Sequence, residues 1–397
     1  MFTDQDHRKI GKKYDLFHFQ EEAPGMVFWH PRGLALLRVL RSAVARQTAR
    51  DGFEEVQTPQ LYRKSVWEAS GHWSHFREGM FVVPDAELPA AIKPVSCPGH
   101  LEIFRRRAAS YRELPLRYAE FGVVHRNEPS GTLHGLFRLR QFTQDDGHVF
   151  CEREQIEGEV ARFCASLRAF YAALGFESVA VTFASRPAER AGSDAVWDEA
   201  EARLRGAAER AGIALEEAPG AGAFYGPKLE FALRDRSGRS WQCGTIQLDL
   251  VLPERFDVEY VASSGQRARP AMLHRAVLGS LERFLGVLLE QHAGKLPGWL
   301  APEHAIVLPV SGADRDYAER VAARLRGGEL RVRVDRRDES LARRVRDAQA
   351  GGAFAVLVVG ERERERETVA LRERGRSSSL AVAEAEARLL AACRVPA

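Results

Sequence analysis

The succession of strand patterns between residues 115 and 251 restricts the fold of this chain more than any other feature. β-rich segments at roughly 115–128 and 138–150 flank the turn-rich loop Pro129-Ser130-Gly131-Thr132-Leu133-His134-Gly135. Further strands are expected at 177–183, 229–234 and 240–251, the last two joined by an Asp235-Arg236-Ser237-Gly238 turn. Strands that succeed one another without a helix between each pair form hairpins, so an antiparallel sheet is expected here, not a regular strand–helix alternation. The clearest helix runs through Ile156, Val160, Phe163, Leu167, Phe170 and Leu174, spaced by threes and fours, and Gly175 closes it.

Before this region, Leu34, Leu37, Leu40 and Val44 mark an amphipathic helix from Gly33 to Asp51, stopped at Gly52, and Phe53–Pro59 alternates as a strand. After it, an apolar helix is expected from Arg275 to His292, and Pro297-Gly298 punctuates the way out. Strands at Ile306–Val310, Val332–Asp335 and Phe354–Val359 then alternate with helices at Tyr317–Leu325 and 341–349, the pattern of a small α/β domain with a mainly parallel sheet. The mixed-sign run Glu361–Glu367 reads as a solvated connection. The fold class is therefore α/β in the broad sense, an α+β domain over 1–297 succeeded by a smaller α/β domain over 298–397.

Composition narrows the function. With 45% hydrophobic and 28% charged residues the chain has material for a core, and it lacks the profile of a disordered segment. Lys plus Arg exceed Asp plus Glu by 58 to 55, and a net charge of +3 confines any RNA contact to local patches. Five scattered cysteines argue for a reducing compartment, and a polar start, Met1-Phe2-Thr3-Asp4, is unlike a signal segment; a cytoplasmic protein without membrane insertion is expected. No P-loop is present, and Gly220-Ala221-Gly222-Ala223-Phe224-Tyr225-Gly226 sets its last glycine one place too late for a dinucleotide fingerprint. A nucleotide, if bound, must be held another way, and guanidinium forks on a sheet floor match phosphate oxygens.

The text around the central loop is unusual: His125-Arg126-Asn127-Glu128 before it, then Phe137-Arg138-Leu139-Arg140-Gln141-Phe142-Thr143-Gln144-Asp145-Asp146-Gly147-His148 after it. It resembles motif 2 of the class II aminoacyl-tRNA synthetases, in the wording of the threonyl-tRNA synthetase family. The helix and proline-ended strand at 33–59 resemble motif 1, and His274 through Phe284 resembles motif 3. The resemblance covers nearly the whole chain from about Asp6.

That resemblance implies that Arg126 and Arg283 bind ATP and catalyse, joined at the ATP site by Glu128, Arg138, Phe142, Gln242 and Thr245, with Phe142 stacking on adenine. It also implies that Gln144, Asp146, Tyr225 and Gln247 surround the amino acid, and that His72 lies near the accepting ribose. By the same resemblance Cys97, His148 and His274 hold one zinc ion per subunit with a coordination position left open, and Mg²⁺ accompanies ATP. The implied activity is conversion of L-threonine and ATP to threonyl-adenylate and transfer to tRNA, by a homodimer formed through the helix at 33–50 and its strand. The chain opens at the catalytic core, so no editing in cis is expected. Asp338, Glu363 and Arg372 match anticodon contacts, but Asp338 stands where an asparagine is usual and accepts hydrogen bonds only. That drift leaves two alternatives open: a threonine-activating paralogue loading another acceptor, such as a carrier-protein thiol, and a non-catalytic binding or regulatory relative.

Overall fold

The computed structural model describes residues 5–84, 87, 89–107, 109–176, 178–235, 238–373 and 375–396. The polar start Met1–Asp4, residue 177 at the head of one expected strand, and Arg236-Ser237 of the expected turn lie outside the described residues. The chain resolves into two compact units, one made of the segments up to Phe19, Val27–Leu40 and Leu288–Pro396, the other of Gln20–Met26 and Arg41–Val287.

The larger unit is built on an eight-stranded sheet. Its strands are β1 Glu54–Glu55, β2 Leu116–His125, β3 Gln141–Cys151, β4 Val179–Ala184, β5 Glu216–Ala218, β6 Lys228–Arg234, β7 Ser240–Asp249 and β8 Ala271–Ser280, in the order β5-β4-β6-β7-β8-β3-β2-β1. The inner pairings are antiparallel, as expected, and only the outermost pairs, β5 with β4 and β1 with β2, are parallel. The longer helices over this part of the chain are α1 Pro31–Arg50, α2 Cys97–Arg106, α3 Ile156–Ala173, α4 Asp194–Arg210 and α5 Leu281–Gln291.

α3 buries Ile156, Val160, Phe163, Leu167 and Phe170, the stripe read from its spacing, and packs on β7 and β8. Burial of each such side chain contributes roughly 1.5–3 kcal/mol, so this face of the sheet carries the core and leaves the other face for polar groups. No helix is expected from the sequence at α4. Its buried positions are Trp197, Ala200, Leu204, Ala207 and Ala208, a helical spacing written mostly in alanine and therefore low in apolar contrast.

The helix expected from Arg275 to His292 is corrected: residues 271–280 form β8, and only Leu281–Gln291 is helical. β8 lies between β7 and β3 with Ala271 through Leu278 all buried, and a strand covered on both faces lacks polar alternation and reads as a mostly apolar run, just as a buried helix does. The strand expected over Phe53–Pro59 shrinks to β1, because Thr58 turns its amide to the Glu120 carboxylate and leaves the ladder.

In the smaller unit, β9 Glu303–Pro309, β10 Val332–Val334, β11 Ala353–Val359, β12 Thr368–Glu373 and β13 Arg376–Ala381 form a sheet ordered β10-β9-β11-β12-β13. β9 runs parallel to β10 and β11, while β12 is antiparallel to both β11 and β13, so the mainly parallel sheet is corrected to a mixed one. The hairpin was hidden by its serines, Ser377-Ser378-Ser379, which lack strand-like apolar alternation. Its helices are α6 Arg315–Gly327, α7 Leu341–Ala350, α8 Glu361–Arg366 and α9 Val382–Cys393. The solvated connection expected at 361–367 is likewise corrected to α8, a short helix with acidic residues in its first turn and basic ones in its last, the order the helix dipole favours. Among the described residues no helix is long and apolar enough to cross a membrane.

Candidate active site

Strand alternation decides which side chains of β3 share a face. Phe142, Gln144, Asp146 and His148 point one way, and Asp145, Val149 and Cys151 the other. Register then extends that face across the sheet: His148 pairs with His274, His274 with Gln247, and Gln247 with Lys228. One step along, Glu120, Asp146, Ala276 and Thr245 form a second row.

α2 begins at Cys97 and delivers its thiol to the first row, so that ligand atoms of Cys97, His148 and His274 all lie within 4.8 Å of one another. Their protonation is set by their other partners. The Asp249 carboxylate already accepts from the Val251 and Leu252 amides at 2.7 and 2.9 Å, and it stands 2.9 Å from His274 Nε2. As an acceptor it fixes the proton on Nε2 and leaves the lone pair on Nδ1. On the other side His148 Nδ1 meets His100 Nδ1 at 2.8 Å, and His100 Nε2 meets the Glu120 carboxylate at 3.3 Å. By the same reasoning His148 donates from Nδ1 and keeps its lone pair on Nε2. The two lone-pair nitrogens then face each other at 3.0 Å, an arrangement that a cation stabilises and that two neutral acceptors alone do not. Burial pushes the His148 ring well below its ordinary range and the Cys97 thiol well above its own. A cation seated there would offset the cysteine's shift and suit the histidine's, because it needs a thiolate and a neutral imidazole.

Behind this cluster Glu120 also accepts from Lys93 Nζ at 2.7 Å and from Thr58 Oγ1 at 2.8 Å. Burial raises the Glu120 carboxyl, but the hydrogen bonds from His100 and Lys93 and the Lys93 charge outweigh it and hold the group at about 2. Among the described residues one other group, Asp6, His7 and Glu290, comes as close together. There His7 Nδ1 is engaged with Glu290 at 2.7 Å and Asp6 with Arg8 at 2.7 Å.

The same sheet face floors a cavity of about 420 Å³, lined among others by Arg126, Glu128, Arg138, Phe142, Gln144, Gln242, Thr245, Gln247 and Arg283. Gln242 and Thr245 have opposite parity and share the face only because a bulge at Cys243 sets Gln242 against Ala232 and Gly244 against Phe231. Arg126, just past β2, stacks its guanidinium over the Phe142 ring at 5.2 Å and donates from Nε to Pro94 O at 3.2 Å. Burial lowers its pKa, and an arginine still remains a cation. Glu128 and Arg138 form an ion pair at 2.8 Å across the rim. Arg283 Nε and Gln144 Oε1 are buried without hydrogen-bond partners among the described residues, and such groups are costly unless a ligand pairs them.

Tyr225 joins cavity and cluster. Its hydroxyl donates to Gln247 Oε1 at 2.9 Å, and its ring stacks on His274 with centroids 4.8 Å apart. The tight turn around it requires glycine at 226, where a Cβ would fall 2.0 Å from Leu248 O on β7, and at 222, where one would fall 2.6 Å from Ser185 O. Asp146 Oδ1 lies 4.0 Å from His148 Nε2, and burial raises its carboxyl. His72 is buried beside Tyr225, their ring centroids 6.4 Å apart; its Nδ1 meets Ser70 Oγ at 2.8 Å, and burial with nearby positive charge holds it at about 3.

The three residues matched to anticodon contacts are not joined to one another by any hydrogen bond or ion pair among the described residues. Asp338 is exposed in the loop after β10, Arg372 is exposed on β12, and Glu363 accepts from the Gly360 amide at 3.0 Å. Sequence reasoning also missed His100, Glu120, Lys93 and Asp249, the partners that orient the cluster. His100 and Lys93 stand in the same short segment as Cys97, but isolated buried polar residues carry no periodic signal.

Residues 82–292 match the family model described as tRNA synthetase class II core domain (G, H, P, S and T), and residues 304–391 match the anticodon binding domain. The chain is 51% identical over 358 residues to a threonine–tRNA ligase of Polynucleobacter asymbioticus and 54% identical over 360 residues to one of Acidiphilium cryptum, in each case over 90% of this chain and 56% of the relative. It thus spans about half the length of the curated relatives it matches. A solved structure named as the RNA binding domain of threonyl-tRNA synthetase from Cryptosporidium parvum superposes with a TM-score of 0.95 at 38% identity, covering 99% of both chains.

Proposed function

Because this chain belongs to the class II aminoacyl-tRNA synthetases, within the threonine–tRNA ligase family, we propose that it activates L-threonine with ATP and esterifies a tRNA with the product. The observation that carries this reading is a three-donor cluster, Cys97, His148 and His274, on the same sheet face as a cavity holding two inward guanidinium groups, Arg126 and Arg283.

In the first step the threonine carboxylate attacks the α-phosphorus of ATP in line, and pyrophosphate leaves with the bonding pair of the broken P–O bond. Negative charge concentrates on the phosphoryl oxygens, and Arg126 and Arg283, fixed before the reaction, stabilise it without a protein base. Phe142, already under the Arg126 guanidinium, offers the adenine a flat apolar partner. Gln242, Thr245, Glu128 and Arg138 complete the nucleotide side. Class II synthetases use Mg²⁺ with ATP, and the metal arrives on the phosphates, so no dedicated protein cage is needed.

On the amino-acid side Gln144, Asp146, Tyr225 and Gln247 orient the substrate. Cys97, His148 and His274 would hold the zinc, which would supply a Lewis-acidic site favouring a substrate with an amino group and a side-chain hydroxyl. Valine lacks the oxygen; serine differs only by a methyl group, and discrimination against it by binding alone is expected to be modest. In the second step a ribose hydroxyl of the tRNA attacks the acyl carbon and AMP leaves. His72, neutral at physiological pH, is the residue this reading assigns to the accepting ribose.

The same reading assigns catalysis to 1–297 and RNA recognition to 298–397, with a homodimer formed through the helix at 33–50. Threonine-dependent exchange of pyrophosphate into ATP, and then charging of unfractionated tRNA, tests it. Exchange without any charged tRNA would leave the paralogue with another acceptor, a reading favoured by Asp338. Absence of exchange by the zinc-loaded protein would overturn the activity altogether.

A further inference from the structure

We infer that Asp145, which faces away from the cavity, is a positioning residue that builds the cavity wall carrying Arg283; this rests on the assignment of the cavity to ATP. β8 keeps register with β3 as far as Ala276 opposite Asp146, then slips, and Ser280 is the next residue to pair, opposite Gln144. Four steps on β8 are thus taken against two on β3, and the ladder amides of the slipped stretch lose their strand partners. Asp145 takes them all. Val277 N donates to its carboxylate at 2.6 Å, Leu278 N at 3.0 Å and Gly279 N at 2.8 Å.

The side chain is 1% exposed, and the Arg275 guanidinium, 3.9 Å away, is the cation beside it. A neutral amide has one acceptor oxygen and would turn a donor NH₂ toward amides that are themselves donors. The bulge has a second lock. Gly279 has φ +79, and a Cβ there would meet Cys243 O at 2.7 Å. Leu278, Gly279 and Ser280 line the cavity, and Ser280 Oγ accepts from Arg283 N at 3.1 Å, fixing the first turn of α5. Asp145 therefore acts on the nucleotide through the backbone it holds, while the residues around the zinc-ligand cluster depend on β3–β8 register before the slip.

The test is MgATP affinity, measured by direct equilibrium titration of the zinc-loaded protein, together with separate KM values for ATP and threonine in pyrophosphate exchange, for wild type, Asp145→Asn and Gly279→Ala. Loss of charge-assisted backbone hydrogen bonds predicts about tenfold weaker MgATP binding and a matching rise in KM for ATP in both variants, with KM for threonine within about twofold of wild type. Gly279→Ala disturbs the same bulge without touching the carboxylate, so it reads the idea even if Asp145→Asn fails to fold. Folded variants with wild-type MgATP affinity would overturn the inference, as would equal rises in both KM values, which mark general loosening. A wild type that binds MgATP but exchanges no pyrophosphate overturns the activity instead, and the titration still reads the role of Asp145.

Discussion

Two nitrogens and a sulfur, drawn from Cys97, His148 and His274, converge because each histidine has its other nitrogen committed elsewhere. The expected outcome of metal analysis is about one zinc per chain, falling to near zero in Cys97→Ser, since three protein ligands are the minimum for such a site. Asp249→Asn leaves all three ligands intact but removes the carboxylate that sets the His274 tautomer. Chelator competition should show its zinc affinity reduced about 10- to 100-fold, and an unchanged value would refute that role. At the nucleotide end, Arg283→Gln removes a guanidinium whose buried Nε has no partner among the described residues. Pyrophosphate exchange is expected to fall about 100-fold or more while the fold persists, because the lost charge acts on the transition state.

At the scale of elements, α2 is tied to the sheet by charge as well as by apolar packing. Lys93 and His100 flank Cys97 in sequence, and both reach Glu120 on β2. Glu120→Gln leaves the fully buried Lys93 ammonium without its counter-charge, a loss of about 3–5 kcal/mol at neutral pH. The pH dependence has a definite sign. The folded carboxyl sits at about 2, below its ordinary 4.5, so its contribution is complete above pH 4.5 and disappears as pH falls toward 2. Urea unfolding across that window should show wild type and Glu120→Gln converging on acidification, and a constant gap would exclude Glu120 as its origin.

At the scale of the whole molecule, a net charge of +3 gives no general attraction to RNA, so the proposed tRNA binding would depend on local contacts. Light scattering is expected to find a dimer at micromolar concentration, and a monomer would contradict the proposed two-fold assembly. Much of this architecture is local and therefore legible in sequence. The alternation of β3 sets Phe142, Gln144, Asp146 and His148 on one face whatever surrounds them, and the spacing of α3 fixes its buried stripe. β8 is the counter-example: a mostly apolar run, interrupted by His274 and Arg275, suits a covered strand and a buried helix equally, and only its place between β7 and β3 makes it a strand. Within the site, resemblance singled out the ligands and arginines, but nothing periodic pointed to His100, Asp249 or Asp145. What the sequence determined alone is whatever a backbone repeat of two or of about three and a half residues dictates over a few neighbours. Tertiary structure decided the rest, because strand register and two bulges bring residues more than a hundred positions apart within hydrogen-bond distance.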